Sequence, residues 1–530
     1  MEEPPLKQSN VDLEEEEGRN SPSRFSLIGE DLHQDILSRL PALTFAFAAC
    51  VSTNWNRICN RILSRPKFVS ALSLNPLLEV ALEEVVNKVL GGPIRPHFAI
   101  ACIGKGFCLS TVHDLVTEKF GLGIPIITSR TRGIIGRDVF TNELKEVNWA
   151  EGDTDGHMDH GITLMVGFVP GVKVRTFLLT QLRGPPQMSL IDKFVNDIKD
   201  FTASVSGRTS PIGILLFADL FANLEPVLEK MDYAMSGETV VIGDHSARFL
   251  YSSGGDYAES TEEQRYPTYK CRTVSLVFAT EIDKPPGVGE IQFMLASSAG
   301  VSPVGPVYKG ASVKAVKYQR LDPFVSTWLT AKRLGSSEML DGATLLNDFE
   351  NEEIYSLYFI MCYVPSTDFT FSPSWFIKDF KKYHFFRGDE EYLYVKGDGI
   401  RTGDEFRFYR PDPEAAFTSR NLVFQNLEKL NLHKVHGLRN NERKEVFGGL
   451  LFSCCGRGKS FFERENVDSS AFSENFPSIP LAGMFCCGEI GYNNFSKIST
   501  RGNKNGQSCY MHVYAAQYLV MLYTPKCLGQ

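Results

Sequence analysis

At 530 residues the chain is too long for one hydrophobic core, and its 43% hydrophobic and 22% charged residues match a folded protein of about two to four domains. A net charge of -8, with no extended basic stretch interleaved with aromatics, speaks against nucleic-acid binding. No run reaches the ~20 apolar residues of a membrane helix, and the 12 cysteines show no C-x-x-C spacing, so they are expected to remain thiols of an intracellular chain, in cytoplasm or nucleus, without a disulfide framework.

Residues 1–24 are acidic and poor in large apolar residues, which predicts a disordered tail and not a secretory signal. In "DLHQDILSRLP", Leu32, Ile36, Leu37 and Leu40 recur at helical spacing until Pro41 stops the helix. An apolar stretch from Leu43 to Val51 follows, then Trp55 and Ile58 at further helical steps. Residues 25–72 thus read as a small all-helical unit. It carries more apolar surface than its own core needs, which suits either a partner surface or a cap on the next domain. "LSLNPLLEVALEEVVNKVLG" reads as a helix ending at Gly91-Gly92.

A long alternation comes next. "PHFAIACIG" is strand-like, "TVHDLVTEKFG" helical, and "IPIITSRTRGIIG" a strand entering a glycine turn. "GITLMVGFVP" and "VRTFLLTQL" are strands, "SLIDKFVNDIKDFTASV" a helix, "PIGILLFADL" a buried strand and "LEPVLEKMDYAM" a helix. "ETVVIGDHSARFLYS", "CRTVSLVFA" and "EIQFMLASS" are strands. Strands follow one another directly as well as through helices. The expected class is therefore α+β, a small all-α unit followed by a two-part region with mixed or largely antiparallel sheets. A break is expected near "SVKAVKYQRLDPFVSTWLTAKRLGSS". Beyond it, "EEYLYVKGDGIRTGDEFRFYRPDPEAAF" reads as a hairpin about a glycine-rich turn and "TSRNLVFQNLEKLNL" as a helix. "NLEKLNLHKV" fits a leucine-rich repeat once, and a solenoid needs several copies. "EVFGGLLFSCCGRG" and "YMHVYAAQYLVMLY" each read as one strand.

"FSCCGRGKSFFE" has the richest chemistry. Gly458-Lys459-Ser460 end like a phosphate loop, but Ser453 stands where the leading glycine belongs and "FFERENVDSS" reads as loop, not helix. Cys454-Cys455 and Cys486-Cys487 could reach zinc only through one thiol of each pair, because neighbours on a strand point to opposite faces. "DTDGHMDHG" fails the EF-hand spacing and reads as a solvated loop. Arg457 and Lys459 could favour thiolate at Cys454 or Cys455, although a catalytic dyad would need a histidine as well. The glycines leave another reading. Gly456-Arg457-Gly458 and Gly488-Glu489-Ile490-Gly491 each follow a strand, and two such turns could converge on a small polar ligand or a peptide end, or Arg457 and Glu489 could simply pair.

Two resemblances follow from these residues. Ile36-Leu37-Ser38-Arg39-Leu40-Pro41, Cys50-Val51 in swapped order and Trp55 resemble an F-box, with Ile28-Gly29 in place of its leading Leu-Pro. "LLFSCCGRGKSFFE" and "FPSIPLAGMFCCGEIGY" resemble the C-terminal half of a FIST domain, with Met484 replacing a Phe, and "IPIITSRTRGIIG", "SAGVSPVGPVYKGASV" and "LDGATLLNDF" are similar to recurring stretches of its N-terminal half. The combination is similar to the F-box only protein 22 family, in a plant member. The resemblance implies an F-box at 25–72, FIST halves at 95–310 and 335–525, and a non-catalytic substrate-recognition adaptor of a Skp1–cullin–F-box ubiquitin ligase. It implies docking on a Skp1-like protein, and through it a cullin, by Leu32, Ile36, Leu37, Leu40, Pro41, Val51 and Trp55. A protein substrate or a small ligand would be held by Cys454, Gly456, Arg457, Gly458, Glu489 and Gly491. No catalytic residue, metal, cofactor, nucleic acid or membrane partner is expected. A ligand sensor with a degenerate F-box and a cysteine-dependent enzyme are the rival readings.

Overall fold

The computed structural model describes residues 29–151, 159–182, 186–220, 222–254, 270–317, 325–350, 359–363, 383–396, 400–432, 444–492 and 509–526. The expected tail at 1–24 lies outside the described residues. Three short helices come first, α1 (Glu30–Ser38), α2 (Ala42–Ala49) and α3 (Thr53–Ile62). Pro41 precedes α2, where a missing N–H costs nothing. Ser52 caps α3, its hydroxyl accepting from the Trp55 amide at 3.2 Å. Leu37, Phe45, Ala48, Ile58 and Cys59 close a small core between the three helices.

The body that follows is built three times on one plan. Its first unit runs β1 (Lys67–Ser73), α4 (Leu78–Val89), β2 (Phe98–Ile103), α5 (Leu109–Phe120), β3 (Pro125–Arg130), β4 (Gly133–Arg137), β5 (Leu144–Asn148) and β6 (Ile162–Phe168). The second runs β7 (Val172–Leu182), α6 (Met188–Ser206), β8 (Gly213–Ala218), α7 (Glu225–Ala234), β9 (Val240–Asp244), β10 (Arg248–Ser253) and β11 (Lys270–Thr280). The third opens with β12 (Glu290–Ala299) and is interrupted by β13 (Val301–Lys317), β14 (Val325–Arg333), α8 (Gly342–Glu350), β15 (Phe359–Tyr363), β16 (Tyr383–Gly388), β17 (Leu393–Lys396) and β18 (Glu405–Pro411). It resumes with α9 (Pro413–Leu432), β19 (Glu445–Cys454), α10 (Lys459–Phe462), α11 (Val467–Ser473), β20 (Leu481–Cys486), β21 (Glu489–Tyr492), β22 (Cys509–His512) and β23 (Ala515–Thr524).

Each unit sets two parallel strands side by side across a helical connection, β2 with β3, β8 with β9 and β19 with β20. Its last strand (β6, β11 or β23) returns antiparallel beside the first of these, and its opening strand (β1, β7 or β12) pairs outside that return strand. The strand after the parallel pair then leaves its own sheet for a neighbour's. β4 pairs with β20, β10 with β3 and β21 with β9. The orders β1-β6-β2-β3-β10, β7-β11-β8-β9-β21-β22 and β12-β23-β19-β20-β4-β5 are the same arrangement with strands exchanged in a ring.

The packing explains the uniformly apolar central strands. β2, β8 and β20 are buried along their whole length, as strands covered on both faces must be. One face of every sheet meets a common core, with Ile100 and Ile127 from the first sheet, Phe217 and Leu276 from the second, and Phe452 and Met484 from the third. Helices cover the outer faces, through Val85 and Val112, Phe194 and Val227, and Leu427 and Phe472 respectively.

Several expectations change here. Residues 67–72, expected to belong to the helical unit, form β1, because "KFVSALS" buries Phe68, Ala71 and Leu72 in a sheet beside β6. The expected break near residue 313 is instead a closed antiparallel barrel, β13-β14-β17-β16-β15-β18. β17 and β18 are not a hairpin. A strand has two edges, and β14 and β16 occupy both edges of β17. The closing stretch, read as one strand, is two, broken at Tyr514, where φ is +48° as the chain passes from the second sheet to the third. The regions expected at 95–310 and 335–525 are not separable bodies, since the third sheet takes β4, β5 and β12 from before residue 300. The class is α+β.

Candidate functional site

Two places collect the residues singled out above. The first is the outer face of the N-terminal helices. Leu43 and Phe47 on α2, with Val51 just beyond it, stand four residues apart and are 69%, 66% and 66% exposed. Leu32 and Ile36, also four apart, add an exposed pair on α1. Such i, i+4 spacing aligns side chains along one helix face, so the exposed apolar groups form stripes and not scattered points. Pro41 is exposed beside them, and Leu40 and Trp55 are half-buried. Leu37 differs from the expectation. It is 1% exposed and belongs to the internal core, so it holds the helices together and cannot meet a partner. Glu30 braces the bundle by pairing with Arg57 and Arg61 of α3, and the buried ring of His33 lies 6.1 Å from Trp55. Leu43 and Phe47 were not among the expected docking residues. Their spacing was the available signal, hidden inside a uniformly apolar "ALTFAFAA".

The second place is the pair of turns after β19 and β20. Arg457 is fully buried, and its guanidinium is completely engaged inside the fold. Nε and Nη2 donate to both oxygens of Asp468 at 2.9 and 2.6 Å, Nη1 donates to the Tyr514 carbonyl at 2.9 Å, and Nη2 also reaches Ser298 Oγ at 3.0 Å. Ser453 Oγ donates to the same carboxylate at 2.7 Å, and Phe462 lies under the guanidinium. One buried ion pair thus ties β19, α11, the end of β12 and the start of β23 together. Glu489, also fully buried, sits across from Asp244 and His512 on the neighbouring strands. The Arg457 guanidinium is thus held by Asp468, Ser298 and the Tyr514 carbonyl and does not pair with Glu489. The glycines follow the same logic. A Cβ on Gly456 would lie 2.7 Å from the Tyr514 ring, and one on Gly491 2.4 Å from Gln517 Oε1. Gly458 precedes α10 in extended backbone.

Arg457 and Lys459 also do not activate a thiol. The Arg457 charge is neutralised by Asp468, and Lys459 pairs with Glu465 at 2.7 Å. Cys454 is buried. Hydrogen bonding to Cys454 and Cys487, with burial added, pushes the Cys455 thiol up and away from thiolate. "FFERENVDSS", read as loop, holds α10 and α11, and Val467 and Phe472 anchor it in the core. Residues 153–158 of "DTDGHMDHG" lie outside the described residues; Asp159 pairs with Lys105 at 3.0 Å. Among the described residues no group of three or more His, Cys, Asp or Glu is placed to hold a metal ion, and no helix is long and apolar enough to cross a membrane.

The turns from all three units meet here. Asn148 Nδ2 donates to the Cys455 carbonyl at 2.9 Å, the Cys487 amide donates to Ser246 Oγ at 3.0 Å, and the His245 amide donates to the Gly488 carbonyl at 2.9 Å. Asp244, beneath them, is 1% exposed, and burial pushes its carboxyl up to about 7 against the bonds it accepts from Ser246.

Comparison with known proteins finds two domain families in the chain. The F-box domain family matches residues 25–66, and the FIST C domain family matches residues 386–492. Over 513 residues the chain is 38% identical to F-box/LRR-repeat protein At5g63520 of Arabidopsis thaliana, covering 94% of each. The chain belongs to this family of F-box proteins with a FIST C domain. A shorter stretch of 44 residues is 48% identical to F-box only protein 22 of Homo sapiens, covering 8% of this chain and 11% of that one. The F-box is the three-helix unit, and its match ends at residue 66, just before β1. F-box domains generally bind Skp1 and through it the cullin, and members of the family are generally non-catalytic adaptors. The single leucine-spaced stretch "NLEKLNL" lies in α9 of the FIST C region.

Proposed function

We propose that this F-box protein is the substrate-recognition subunit of a Skp1–cullin–F-box ubiquitin ligase, working in the cytoplasm or nucleus. The observation that carries the reading is the set of exposed apolar side chains, Leu32, Ile36, Leu43, Phe47 and Val51, on a helical unit whose own core is already closed by Leu37, Phe45 and Ile58. Surface of this kind is costly to leave in water and marks a docking face. Pro41 is exposed as well, and Leu40 and Trp55 are half-buried against the helical core. The FIST body presents a protein substrate, and the adaptor acts by raising the concentration of substrate lysines near a ubiquitin-loaded partner. It needs no bond chemistry of its own.

The test is co-expression with a plant Skp1-like protein and a cullin. A stable complex is expected to co-elute with the full chain and to lose it when Leu43 and Phe47 are both changed to Asp. Elution of the wild-type chain apart from the Skp1-like protein would end the ligase reading.

A further inference from the structure

Where the turns of the three units meet, two thiols face one another from different strands. Cys455 follows β19 and Cys487 follows β20, and their Sγ atoms are 3.2 Å apart. The backbone sets this approach. Cys454 and Cys486 are partners in the parallel register, and the Cys455 amide donates to the Cys486 carbonyl at 2.7 Å. The next residue on each strand therefore continues alongside its partner. Neighbouring strands run about 4.8 Å apart, inside the range of Cα separations that a disulfide spans. Both thiols are half-buried, while Cys454 and Cys486 behind them are buried. A small oxidant can reach the front pair, and the rear pair is shielded by the fold.

We propose that Cys455 and Cys487 form a reversible disulfide, a modification site at which a hydroperoxide fastens the turn after β19 to the crossing from β20 to β21. In the first step one thiolate attacks a peroxide oxygen. The O–O bond breaks, hydroxide leaves and the sulfur becomes a sulfenic acid. In the second step the other thiol attacks that sulfur, the S–O bond breaks, and the thiol proton departs with the oxygen as water. In sum, two thiols and one hydrogen peroxide give one disulfide and two waters. Thiol–disulfide exchange with a small dithiol restores both cysteines and carries away the oxidising equivalents as the reagent's own disulfide. The short S–S distance favours closure over further oxidation of the sulfenic acid. The closed ring spans residues 455–487 and so encloses the Arg457–Asp468 ion pair.

The experiment uses the full chain, purified reduced, exposed to hydrogen peroxide and mapped by peptide mass spectrometry. The expected product is a pair of peptides joined through Cys455 and Cys487, lighter by two hydrogens and separated again by dithiothreitol. Cys454→Ser should keep the cross-link and Cys455→Ser should lose it. In Cys455→Ser a sulfenic acid at Cys487, left without its partner thiol, should persist and be trapped by dimedone. The exposed thiols of Cys50 and Cys108 report that oxidant is present. Oxidation of Cys50 and Cys108 with Cys455 and Cys487 left as thiols would overturn the proposal. So would sulfonic acid at Cys455 without a cross-link, or a bridge between Cys454 and Cys486.

Discussion

Phe47→Ala probes the docking face most directly. Phe47 is 66% exposed, so truncating it opens no internal cavity, and folding stability should move by less than about 0.5 kcal/mol. Burying a side chain of this kind completely contributes about 1.5–3 kcal/mol. About two-thirds of that surface is still in water, so a partner that covers it gains about 1–2 kcal/mol. The variant should therefore bind a Skp1-like protein roughly 5–30-fold more weakly. Calorimetric titration gives the Kd, and a thermal melt of the free chain is the control. Weakening of that size with an unchanged Tm is the expected result. An unchanged Kd, or a Tm that falls in step with binding, would show that the side chain is not held out for a partner.

Other substitutions separate the interior from the surface. Leu37→Ala should cost about 2–5 kcal/mol within the small helical core, seen as early loss of structure in that unit by hydrogen exchange; protection equal to wild type would contradict the burial of Leu37. Arg457→Ala leaves Asp468 buried without its cation and should cost about 3–5 kcal/mol in urea unfolding, with Skp1 binding retained; an unshifted urea midpoint would count against the ion-pair assignment. Asp244 has its carboxyl raised from 3.8 to about 7, so the folded chain keeps a proton that the unfolded chain releases. That contribution to stability is full below pH 3.8 and is lost as pH rises through 7. Asp244→Asn should flatten the stability profile between pH 3.8 and about 7, and an identical slope in variant and wild type would rule out this role for the carboxyl.

Local periodicity was readable in the residues, and long-range partnership was not. The helical spacing of Leu32 and Ile36 and the apolar runs of β2, β8 and β20 depend on neighbours a few positions away. Which of the α1 side chains turns inward depends on Ile58 of α3, so Leu37 could not be told from Ile36 by spacing alone. The threefold plan lies in the strand pairing, which joins residues far apart in the sequence. Ile134 pairs with Met484 across the whole body, and nothing beside either residue announces the other. Arg457 between glycines invited a ligand, yet Asp468 lay only eleven positions on, on a helix that polar "ENVDSS" disguised. The alternation rule covers residues within a strand. It limited each cysteine pair to one thiol facing a shared metal, whereas Cys455 and Cys487 lie just past their strands and the Cys455 thiol meets both Cys454 and Cys487.

The ring of exchanged strands has a bearing on how the chain is made. β23 lies between β12 and β19, so the third sheet lacks an inner member until residues 515–524 have left the ribosome. The leading helices can settle early, since their contacts are local. The body behind them must wait for β23, exposing bare strand edges to chaperones in the interval. A transcript cut short before residue 515 would then yield a chain with a finished handle and an unclosed body.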